Sequence, residues 1–410
     1  MNNQSIPSES ASQQTHAGTA AEVLSAFLAL GFTSFGGPVA HIGYFRNEFV
    51  TRRRWLEEHA FADLVALSQF LPGPASSKLG FSLGLLRAGY LGGIAAWIGF
   101  TLPSALMLVL FAMWAGSLAD VASGQALIHG LKLVAVVVVA HAVLGMARNL
   151  CPDRQRSAIA VLALAIALLA PKLVGQMTAI CAGAVLGLLL CRSETESVPP
   201  PLPNPVRPMV GVIAIALFLG LLALAFVPNL DGAVAMFGAF YRSGALVFGG
   251  GHVVLPLLDE AVVKVGWITR EAFLAGYGAT QAVPGPLFTI ASYLGFAPGN
   301  PVAGWSGSTL ALVAIFLPGI LLQLAALPFW NAFRGRPVAQ AGMRGVNAAV
   351  VGILGAALYT PVWTSGVLRV TDVAVVVLGF VLLVAWRAPP LLVVAVVAVV
   401  GAAAQLLGAG

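Results

Sequence analysis

The chain has 410 residues, 59% of them hydrophobic and 9% charged, with a mean hydropathy of +0.94. A soluble domain carries about 25% charged residues, so this composition excludes a water-soluble globule and requires a polytopic membrane protein. The formal charge of +6 then reflects Lys and Arg collected in cytoplasmic loops, not a nucleic-acid partner. Cys151, Cys181 and Cys191 lack metal-ligand spacing and read as small buried hydrophobes.

Taken in chain order, residues 1–21 are polar and Ser/Gln-rich, without the basic start and apolar core of a signal peptide, and read as a disordered cytoplasmic tail. Apolar stretches follow at 22–45, 60–86, 90–117, 125–147, 157–170 and 172–191. The segment Arg192–Pro208 is a polar, proline-rich connection, and one further apolar stretch occupies 209–227. Six more run 232–258, 272–297, 303–330, 340–360, 371–386 and 388–408. The fold class expected is an all-α membrane protein with about 10–13 membrane segments, each crossing needing ~20 apolar residues. The expected domains are an N-terminal repeat over 22–191, a linker with one crossing over 192–231, and a C-terminal repeat over 232–410. A single crossing between equal halves turns the second copy upside down, an inverted-topology repeat.

The halves share more than hydropathy. Ser34–His41 reads SFGGPVAH and Trp55–Pro74 reads WLEEHAFADLVALSQFLPGP; about 210 residues later come Val247–Val254, VFGGGHVV, and Trp267–Pro286, WITREAFLAGYGATQAVPGP. Each copy places two glycine/proline breaks inside apolar sequence. Paired interruptions in corresponding halves point to a transporter's binding site. Any one Gly-Pro is explained by helix packing; a duplicated set is not. Proline suits the first turn of a helix, so Pro38, Pro74 and Pro286 should open half-helices, as should His252. Their N-termini offer unpaired N–H groups and positive dipole ends to an anion. The candidate site is therefore Gly36, Gly37, Pro38, Gly73, Pro74, Ser76, Ser77, Lys78, Arg242, Gly249, Gly250, Gly251, His252, Gly285, Pro286 and Thr289.

Ionisable residues at membrane depth are functional candidates by default. Lys78 and Arg242 should hold the anion; His41, His252 and Asp63 are the proton-coupling candidates. Lys132 and His129 share one helix face and read equally well as snorkelling to the interface. With the N-terminus inside and the first two stretches of each half re-entrant, loop Lys and Arg divide 14 inside to 4 outside, against 12 to 6 if those stretches cross. Both put the N-terminus in the cytoplasm and the C-terminus outside. The sequence holds no ATP-binding phosphate loop, zinc-protease motif or nucleophile elbow, so neither an enzyme nor a cofactor is expected.

At FGGP (Phe35–Pro38), QFLPGP (Gln69–Pro74), FGGGH (Phe248–His252) and QAVPGP (Gln281–Pro286) the chain resembles the chromate ion transporter family in its long, two-domain form. The resemblance covers nearly all of the chain beyond the tail. It implies proton-motive-force-driven efflux of chromate across the bacterial inner membrane, with a sulfate-like oxyanion importer or an anion channel as the alternative. It leaves room for a homodimer. Gly251 stands where the first copy has Pro38, so the two half-sites are unequal.

Overall fold

The structure is a computed structural model and describes residues 18–35, 37–119, 122–170, 172–191, 205–248, 251–333 and 336–407. Gly36, Gly249 and Gly250, most of the N-terminal tail and most of the linker between the halves lie outside the described residues. Every regular element among the described residues is helical: α1 Ala20–Thr33, α2 Gly37–Phe45, α3 Glu58–Phe70, α4 Ala75–Ala119, α5 Ala122–Leu150, α6 Arg154–Leu169, α7 Lys172–Leu190, α8 Pro208–Ala225, α9 Gly232–Ala245, α10 Val254–Leu258, α11 Arg270–Thr280, α12 Ile290–Phe296, α13 Gly304–Ala326, α14 Trp330–Phe333, α15 Pro337–Ala357, α16 Thr364–Gly366, α17 Val370–Val384 and α18 Pro390–Leu407. Six helical runs are long and apolar enough to cross a bilayer, over Ala75–Trp114, Ala122–Leu150, Pro208–Ala225, Gly304–Ala332, Gln340–Gly366 and Pro390–Leu407. Leu91, Ile94, Ile98, Leu102, Leu106 and Leu110 expose one stripe of α4, the helical spacing of a face meant for lipid. The protein is an all-α, multi-pass membrane protein.

Corresponding elements follow one another in both halves. α1 and α2 answer α9 and α10; α3 answers α11. The first part of α4 answers α12, for α4 reverses direction at Ala88 and Gly89, whose dihedrals leave the helical region. Its remainder answers α13, and each of these long helices carries an internal proline, Pro103 or Pro318. α1 packs on α4 as α9 packs on α13. Small residues permit both approaches: a Cβ at Gly31 would meet the Gly99 carbonyl oxygen and Pro103, and one at Gly244 would meet the Ile315 carbonyl oxygen and Pro318.

The remaining helices are exchanged. The α6–α7 hairpin of the first half packs against α15 of the second, and α17–α18 of the second packs against α5 of the first. All three apolar clusters among the described residues draw on both halves, and neither half buries its own surface alone. A clamp recurs as well: Arg46 pairs with Glu58 at 2.7 Å, and at the corresponding places Asp259 pairs with Arg270 at 3.2 Å, with the signs reversed.

Candidate functional site

The helix breaks fall where the sequence places them. α2 begins at Gly37 with Pro38 in its first turn, α3 ends at Phe70 and α4 begins after Pro74. In the second half a 3-10 turn opens at Gly251 and carries His252 into α10, while Pro286 caps a 3-10 turn that leads into α12. Gly73 and Gly285 hold φ of +103° and +99°, a region that side chains other than glycine rarely adopt.

Those two glycines tie the halves together. The Gly73 N–H donates to the Val247 carbonyl at 2.6 Å, and the Gly285 N–H donates to the Ser34 carbonyl at 2.9 Å. Val247 and Ser34 are corresponding residues, each just before its own FGG run. Each Pro-Gly-Pro loop therefore grips the other half's first break, and the exchange is reciprocal.

On one side of this crossing lies a cavity of about 730 Å³, its open mouth included. Gly37, His252, Gln281 and Gly285 line it together with Thr280 and Leu287. Val134, Val137, Val138 and His141 of α5 form one wall; Leu383, Pro390, Val393, Val394 and Val397 of α17–α18 form the other. None of its described lining residues is acidic. His252 Nδ1 lies 2.6 Å from the Tyr277 hydroxyl, and the Gln281 amide nitrogen is shielded from solvent without a hydrogen-bond partner. A second cavity of about 620 Å³, its open mouth included, lies between α15, the α6–α7 hairpin and Pro256; its lining includes Asp259 and Gln176.

The other candidates are placed differently. The Lys78 ammonium is buried and donates to the Leu71 and Pro72 carbonyls at 2.5 and 3.0 Å. It thus satisfies the C-terminal end of α3, where a cation meets the negative dipole end. Arg242 donates to the Ala225 carbonyl at 3.1 Å and lies over the Phe226 ring at the end of α8. Ser76 and Ser77 are buried beside Lys78, and the Thr289 hydroxyl donates to the Pro286 carbonyl at 2.7 Å. His41 Nε2 contacts the Ser34 carbonyl at 3.2 Å, the same oxygen that Gly285 holds. Asp63 is buried on α3. Thr280 and Gln281 line the cavity but were not among the site candidates. The signal that would have found them is their position, four and three residues before the second Pro-Gly-Pro.

Duplicated broken hairpins that meet at an interlocked crossing, with a cavity beside it, define a polytopic membrane transporter. The comparisons give the family. The chromate transporter family matches residues 21–188 and 234–402, and the chain belongs to it. The chain is 29% identical over 346 residues to the chromate transport protein of Pseudomonas aeruginosa, covering 82% of this chain and 79% of that one. It is also 29% identical to the probable chromate transport protein of Synechococcus elongatus, covering 81% and 82%. An uncharacterised transporter of Bacillus subtilis, YwrA, is 30% identical across 72% of its own length but only 33% of this chain, as a protein one repeat long would be. No solved structure matches.

Proposed function

We propose that this protein exports chromate, a tetrahedral oxyanion, across the bacterial inner membrane, driven by the proton-motive force. The observation that carries the reading is the cavity beside the crossing. The helix beginning at Gly37 and the helical turn at Leu287 bring their N-terminal ends to it, and His252 and Gln281 add polar side chains. An anion entering it meets dipole ends and donors and no carboxylate. Gly37, with nothing near the place a Cβ would take, leaves its backbone open to close approach. Lys78 acts at one remove, holding the end of α3 against the crossing, and Arg242 fixes α9 to α8.

The halves, 22–191 and 232–408, are inverted repeats, with the N-terminus cytoplasmic and the C-terminus periplasmic. Three features support this: α8, the one helix among the described residues between the halves, the loop charge bias, and the reciprocal Gly73 and Gly285 hydrogen bonds. Under that arrangement the two cavities face opposite sides of the membrane, as alternating access requires.

The test is chromate uptake into everted vesicles with and without a proton gradient, with sulfate as competitor. Gradient-dependent uptake supports the export reading. Uptake that follows only chromate's own gradient makes the protein a channel. Sulfate transport without chromate transport assigns it to the sulfate-like class.

A further inference from the structure

The cavity along α5 has an open end and a closed end. His141, at the open end, is exposed, whereas Val134, four residues beyond the next lining position, is 1% exposed. α18 runs the opposite way, from Pro390 to Val397. Past Val134 the walls touch: a Cβ at Gly130 would collide with the Ala398 carbonyl, and one at Gly366 would press on Val136 and the Lys132 carbonyl. Beyond that seal lies a buried ion pair. His129 Nε2 of α5 meets Asp372 Oδ1 of α17 at 2.9 Å, with side-chain exposures of 8% and 2%. The other carboxylate oxygen, Oδ2, accepts the Leu368 and Arg369 main-chain N–H groups at 2.9 Å each. His129 therefore does not snorkel; it joins the two halves across 243 residues of sequence.

We propose that His129 and Asp372 form a proton-binding site, separate from the anion cavity, that latches α17–α18 onto α5 and closes the end of the cavity remote from His141. The sign follows from the chemistry. Donors already occupy both Asp372 oxygens, so the exchangeable proton of the pair resides on the imidazole. Protonated, the imidazolium and carboxylate attract as charges in a setting of low dielectric. Deprotonated, the neutral imidazole keeps one hydrogen bond to the carboxylate but loses the attraction between opposite charges. Protonation tightens the latch and its loss frees the exchanged hairpin. Of the neighbouring charges, Lys132 lies one turn along the same face with Glu271 of α11 opposite it, Arg369 caps α17, and α18 carries no ionisable side chain. A proton taken up at the remote face closes that face, which gives an exporter its coupling step. The coupling half of this inference rests on the proposed export.

The test has two arms. In the first, Cys151, Cys181 and Cys191 are replaced by Ala and Leu133→Cys is introduced on α5 just inside the seal, where Leu133 is fully buried. A membrane-impermeant thiol reagent is applied from the side remote from His141. Labelling should be at least about fivefold faster at pH 8 than at pH 5.5. His129→Gln, which keeps a hydrogen bond without the charge, should label at the fast rate at both pH values. His129→Lys, a permanent cation, should label at the slow rate at both. A flat wild-type profile, or pH dependence that survives in His129→Gln, overturns the latch. In the second arm, His129→Gln in vesicles should retain chromate exchange but lose gradient-driven accumulation; accumulation at the wild-type level overturns the coupling role. Wild-type protein that moves no chromate while its thiol labelling still follows pH would break the export reading and leave the latch standing.

Discussion

The two Pro-Gly-Pro loops share a backbone and differ in everything attached to it. At Pro72-Gly73-Pro74 the loop is packed shut: a Cβ on Gly73 would lie 3.0 Å from Gly319 Cα, and the aliphatic stem of Lys78 fills the space against that same glycine. At Pro284-Gly285-Pro286 a Cβ would be as tightly met, 2.8 Å from Ser104 Oγ, but this glycine and the preceding Thr280 and Gln281 also line the cavity. Duplication copied the geometry of the crossing, and the chemistry then diverged. The first loop became a bolt and the second a binding surface.

The largest expected effects come from what the loops still share. Gly73→Val and Gly285→Val should each abolish transport at matched membrane expression, a loss of at least a hundredfold in initial rate. Each forces a β-branched residue to φ near +100°, a strain of about 1–3 kcal/mol before any clash, and each loosens a cross-repeat hydrogen bond. A variant that transports normally would show that the reciprocal contact is packing without function.

The bolt should fail next. Lys78→Met leaves the Leu71 and Pro72 carbonyls buried without their donor, at a cost of roughly 1–3 kcal/mol each. Thermal unfolding in detergent should drop by several degrees and transport should fall with it. Lys78→Arg should recover part of the stability, because the cation remains but its planar fork fits a different geometry. Lys78→Met with wild-type stability and a raised apparent KM would return Lys78 to the anion site.

The clamp that recurs with reversed charge sharpens the comparison further. Arg46 and Glu58 are each 56% exposed, whereas Asp259 is 1% exposed beside Arg270. Exposed pairs contribute about 0–1 kcal/mol, while removing the cation beside a buried carboxylate is far more costly. Arg270→Ala should therefore lower the melting temperature clearly and Glu58→Ala barely. Equal shifts would mean that the two halves bear load alike.

The breaks themselves were legible because glycine and proline act locally: α2 opens at Gly37, α4 after Pro74 and a 3-10 turn after Pro286, each where backbone rules place a helix start. Partners were not. Lys78 reads as an anion ligand by charge and depth, but whether a buried ammonium faces a cavity or a carbonyl depends on where the chain turns back. The exchange of α6–α7 and α17–α18 is invisible for a related reason. Both halves carry the same hydropathy pattern, so either hairpin suits either long helix by composition, and only tertiary packing selects the partner. The His129–Asp372 pair joins positions that no local periodicity connects.

The smallest effect bears most directly on the site. Gln69 and Gln281 are corresponding residues, three positions before their Pro-Gly-Pro. Gln69 is exposed at the end of α3, whereas the Gln281 amide nitrogen is shielded at the cavity wall without a partner. A shielded, unpaired donor carries a desolvation cost that a bound oxyanion removes by accepting its hydrogen bond. Gln281→Ala should forfeit one such bond, about 0.5–1.5 kcal/mol, or roughly a 2- to 13-fold rise in the apparent chromate constant. The maximal rate should change little if the bond forms equally before and during passage. Gln69→Ala should leave both parameters as they are. The comparison is made by chromate kinetics in vesicles with the two variants at equal expression. Equal effects would mean that the first loop binds too, and that the division between bolt and binding surface is wrong.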